Sequence, residues 1–155
     1  MQIVIDWLHI GSGIVWVGGY AFATFIIWPA LLRRPAVEAL AMFDAINKPI
    51  SQLMGGSAQA VFWLGILRGT VFGPIKSTEV LFKTPYGHTF MGAIVLTLVA
   101  VVISAVSASR LRATVFDGDS FRVGGVKKVL RTNYFVLLLF AIILAFMVTM
   151  RYGVG

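Results

Sequence analysis

An all-α integral membrane four-helix bundle is the fold this sequence predicts, and three observations carry the expectation. The chain has 155 residues, of which 59% are hydrophobic and only 12% charged. A soluble domain of that size needs a charged surface that this composition does not supply. Apolar runs long enough to cross about 30 Å of hydrocarbon recur four times. The basic residues cluster between those runs rather than within them, as topology signals do.

The spans cover about residues 3–32, 50–72, 86–108 and 133–150, and the whole chain reads as one four-span domain. Long, non-alternating apolar runs satisfy their backbone in lipid only as helices. The first span stops at Arg33-Arg34-Pro35, and the second stops at Gly73-Pro74. Arg110 and Arg112 close the third, while Arg131 and Arg151 flank the fourth. Between the first two spans, Val37, Leu40, Ala41 and Asp44 fall at helical spacing. That loop is expected to form a short interfacial helix ending near Lys48-Pro49. Asp117-Gly118-Asp119 and Gly124-Gly125 read as turns.

Four spans put the first and third loops on one side. Arg33, Arg34, Lys48, Arg110, Arg112, Arg122, Lys127, Lys128 and Arg131 lie there, against Lys76, Lys83, Arg151 and Arg68 opposite. The excess of positive charge marks the cytoplasmic side. Both termini are therefore expected on the non-cytoplasmic face of a cell (plasma or inner) membrane. The net charge of +7 fits topology and anionic lipid contact, not nucleic acid. Met1–Asp6 carries no basic leader, so the first span is expected to be a permanent helix.

The absence of cysteine excludes thiolate-bound iron–sulfur clusters, thiolate haem and covalent c-type haem. Histidine, methionine and carboxylate remain as ligands. The chain has two histidines, His9 and His88, each near the outer end of a span and each followed four residues later by glycine, Gly13 and Gly92. Residues four apart share a helix face. Glycine there clears space for a flat macrocycle, and ionisable groups within spans are functional candidates. The pair predicts axial ligation of haem b, with His9 and His88 as the metal ligands.

Other residues fit around that site. Arg68 falls near the same face and suits haem propionates; Asp6, one turn before His9, is its alternative partner. Trp16, two turns beyond His9, is a candidate cavity wall. Met91, Met147 and Met150 lie toward the same side and, with histidine, suit copper(I) as an alternative. Gly18 and Gly19 are expected to serve helix packing, which also permits a homodimer.

Trp7-Leu8-His9-Ile10 followed by Val15-Trp16-Val17-Gly18-Gly19 resembles the first helix of the copper-resistance D-like superfamily, which includes membrane-embedded, haem-binding protoporphyrinogen oxidases. Lys48-Pro49 before the second span and Val129-Leu130-Arg131-Thr132-Asn133 before the last are similar in layout. The resemblance implies that His9 is a haem ligand. His88 falls where the oxidases carry a histidine–lysine pair, and Phe90 stands in place of that lysine. The function expected is therefore one-electron transfer by a membrane b-type haem protein, exchanging with quinol or an external redox protein. A porphyrin-oxidising enzyme is the alternative, and copper handling a second.

Overall fold

A computed structural model describes residues 1–152 and is built almost wholly of helices. The helices are α1 (Gln2–Phe22), α2 (Trp28–Leu32), α3 (Ala36–Thr70), α4 (Thr78–Lys83), α5 (Pro85–Val115) and α6 (Gly125–Tyr152), with a two-stranded hairpin, β1 (Phe116–Asp117) and β2 (Ser120–Phe121), before α6. Four helical stretches, Gln2–Leu32, Ala36–Thr70, Pro85–Val115 and Gly125–Tyr152, are long and apolar enough to cross a membrane.

The first stretch is continuous but not uniform. A π-helical turn, Ala23–Ile27, joins α1 to α2. Pro29, at the start of α2, has no N–H for the helix ladder, and a widened turn just before it absorbs the mismatch. Thr24 in that turn returns its hydroxyl to the Tyr20 carbonyl at 2.7 Å.

α3 corrects the expectation of a separate interfacial helix. It passes through Pro49 without a break and spans 35 residues, about 52 Å at 1.5 Å per residue. That length exceeds the hydrocarbon core of a bilayer, about 30 Å, and the packing of its first turns holds the helix together where proline alone would end it. Ala39 and Phe43 in those first turns are buried against Trp28, Leu31, Val115, Phe116 and Val129.

This packing makes a second core, separate from the mid-bundle core of Trp16, Tyr20, Ala58, Val61, Ala100, Val136 and Phe140. The hairpin closes it: Phe116 pairs with Phe121 across the strands, and their rings stack at 5.3 Å. Gly118 opens the turn at φ 57°, a left-handed value that glycine adopts at no steric cost.

α4 was not foreseen. Ser77 caps it by accepting from the Val80 N–H at 3.3 Å, and Glu79 pairs with Lys83 at 2.8 Å. Thr84 then caps α5 through the Gly87 N–H at 3.0 Å, with Pro85 in the first turn.

Cavities lie toward both ends of the described bundle. The terminal end gathers the start of α1, the end of α3, the start of α5 and the end of α6 around a cavity of about 460 Å³. The basic end holds a cavity of about 380 Å³ between α1, α3, α5 and α6.

Candidate functional site

The terminal cavity is the candidate site. α1 sets Asp6, His9 and Gly13 along one face at i, i+3 and i+7. His9 is 5% exposed and lines the cavity with Arg68, Tyr86, Phe90, Met147 and Met150. Its ring rests against Gly65 of α3, where an added Cβ would come within 3.2 Å of Cε1. Among the described residues His9 Nδ1 is buried and makes no well-formed hydrogen bond, with the Val61 backbone carbonyl near the ring. An unmet ring nitrogen on a cavity wall can accept a ligand's proton or hold a metal.

Gly69, one turn beyond Gly65, receives the Phe90 ring so closely that no Cβ would fit. The Gly65–Gly69 stripe thus seats one aromatic ring from α1 and one from α5. The sequence signal was present, since small residues four apart let helices approach closely, but the stripe was not singled out.

Arg68 meets the alternative partner named for it. Its Nε lies 2.7 Å from Asp6 Oδ1, with the two side chains 40% and 32% exposed. The angle is poor enough that Asp6 Oδ1 accepts no hydrogen bond, so the pair is a charge contact more than a directed bond. Arg68 lines the cavity and is a cation there for an anionic group.

The remaining expected site residues fall elsewhere. His88 is exposed and its Nε2 lies 2.8 Å from the Phe82 carbonyl oxygen. It donates there to the end of α4, whose last carbonyls have no helical partner. His88 does not line the cavity that His9 lines, so the two imidazoles are not presented to one macrocycle. Gly92 clears no space either: a Cβ there would come within 2.8 Å of Phe146, which already occupies that side. Gly13 faces Val61 at ordinary contact distance.

Trp16 is 2% exposed and packs edge-on to Phe140 at 4.7 Å. It lines the basic-end cavity, not the cavity of His9. Its Nε1 is buried without a partner among the described residues.

For a haem, the terminal cavity fits in part. Its volume of about 460 Å³ lies within the about 300–1,000 Å³ usual for small-molecule sites. His9 offers an unmet nitrogen, and Arg68 a cation for carboxylates. The second imidazole is missing, and the thioethers of Met147 and Met150 are the other soft ligands on the wall. Among the described residues, no group of three or more histidine, cysteine, aspartate or glutamate side chains could hold a metal ion.

Compared with known proteins, the chain matches no family model, no curated protein and no solved structure.

Proposed function

We propose that this chain is a multi-pass protein of the cell membrane that binds haem b in the terminal cavity through His9 and transfers single electrons. The observation that carries the reading is His9 itself: a buried imidazole, with Nδ1 unmet, on the wall of a cavity it shares with a guanidinium. The positive-inside rule puts that cavity toward the non-cytoplasmic face. Haem, when bound, supplies the one-electron couple.

The residues around it have separable tasks. His9 would hold the iron through a ring nitrogen, and Gly65 leaves the space in which the ring sits. Arg68, steadied by Asp6, meets the propionates, with Arg151 at the mouth of the same cavity. Met147 or Met150 would supply a second ligand in place of His88. Phe90, held on Gly69, keeps the inner wall apolar and dry. Electrons would be exchanged with quinol in the lipid or with a redox protein outside.

One observation favours a second reading. Met147 and Met150 sit one helical turn apart and line the same cavity as His9. Two thioethers and an imidazole suit copper(I).

A reduced-minus-oxidised absorption spectrum of the purified protein separates these readings. The expected result is the sharp bands of b-type haem, lost in His9→Ala and kept in His88→Ala. Bands that survive His9→Ala overturn the assignment. Copper without haem in the purified protein selects the second reading, and turnover of added porphyrinogen marks the enzyme.

A further inference from the structure

We propose that the basic-end cavity is a binding cleft for one anionic phospholipid of the adjoining leaflet. Shape is the first argument. Its walls run from Phe43 to Gln59 on α3 and from Val101 to Thr114 on α5, about 24 Å and about 20 Å along the helix axes. A cavity of about 380 Å³ drawn out over that length is narrow. It accommodates a chain, not a macrocycle. One leaflet with its headgroups is about 20–22 Å deep, half of the full bilayer, so the cleft extends from headgroup to midplane.

The opening faces the right medium. Gly55 and Gln59 on α3, with Ala105, Val106 and Ala108 on α5, line the cleft and are exposed at the bundle's flank. Small side chains on both helices keep that flank open. The inner wall is apolar and aromatic, formed by Tyr20, Ile27, Trp28 and Ile50.

Charge is the second argument. Arg110 and Lys128 line the cleft at its loop end. The carboxylates near them are engaged elsewhere: Glu38 with Arg34, Asp44 with Arg112 and Asp117 with Arg122. Neither Arg110 nor Lys128 has a carboxylate within ion-pair distance among the described residues. Asn133, 7% exposed, adds a buried amide to the same wall. Two free cations and an amide at headgroup depth match a phosphodiester, and basic pockets between helices on the cytoplasmic side hold such headgroups.

This inference is independent of the haem reading, and its test keeps the two apart. The full-length protein is released from vesicles of phosphatidylcholine, with or without added phosphatidylglycerol, and its retained lipid is read by native mass spectrometry. Retention of one phosphatidylglycerol in preference to phosphatidylcholine is expected. Arg110→Gln and Lys128→Gln should each weaken retention about fivefold, and Ala105→Trp, which fills the cleft from its lipid-facing side, should abolish it. None of the three should alter the haem spectrum. Equal retention of phosphatidylcholine overturns the proposal, as does retention unchanged in the charge variants. Displacement of the lipid by inorganic phosphate overturns it too, since that would mean the headgroup alone is recognised.

Discussion

At the terminal end, Asp6, His9 and Arg68 lie between the helices and face one another across a cavity. At the basic end, charges are more numerous but stay outside: nine cations and four carboxylates surround an aromatic cluster of Trp28, Phe43 and Phe116. The contrast extends to the buried polar residues. Thr24 and Thr97 return their hydroxyls to carbonyls of their own helices at 2.7 Å each. His9 and Asn133 line the cavities, as Thr97 also does. Polar groups turned inward at one end suit chemistry on a bound group. Cations ringed around an apolar cleft at the other suit holding a lipid.

Substitutions at the two ends should separate along the same line. The largest effect is expected at the basic end, where Phe116→Ala removes a buried ring from between Phe43 and Phe121. It should cost about 3–5 kcal/mol of stability, read by denaturant unfolding, while leaving the haem bands in place. A change in those bands would mean that the ends are coupled.

Gly69→Leu acts at the terminal end. The new side chain would collide with the Phe90 ring, and overpacking of this kind costs about 1–3 kcal/mol. Haem retention should fall with it. The double variant with Phe90→Ala should recover much of the loss, and failure to recover would place the strain elsewhere.

The smallest effect belongs to Trp16→Phe, midway between the ends. The substitution gives up part of the contact with Phe140 but removes an indole N–H that has no acceptor. The two changes oppose each other, because an unmet buried donor costs about 1–3 kcal/mol. Thermal unfolding should shift little. A large loss would show that Nε1 is bonded, to a bound lipid or to water.

The four long helices were legible because hydropathy and length are properties of a continuous stretch. The Asp6–Arg68 contact was legible as an alternative, since both residues are charged and lie at similar depth. The passage of α3 through Pro49 was not, because proline's local effect is outweighed by packing from Trp28 and Val115, residues of other helices. His88 misled for a related reason. Its partner is the Phe82 carbonyl at the end of α4, a six-residue helix whose only sequence signals are a capping serine and one Glu–Lys pair. The trailing glycines also misled. The residue that makes room for His9 is Gly65, 56 positions away on α3, and its role exists only once the helices are paired.

The second core at the basic end carries a thermodynamic consequence. On the membrane reading, α3 is about 52 Å long against a hydrocarbon layer of about 30 Å, so the Phe116–Phe121 stack at the loop end meets water while the Trp16–Phe140 cluster forms in lipid. Only the former is assembled by expulsion of water from apolar surface, and only it should show the large heat-capacity change that accompanies this. Cooling should therefore loosen the loop-end cap while the helices beneath it stay packed. In this one short chain, two adjoining cores would answer temperature by different laws.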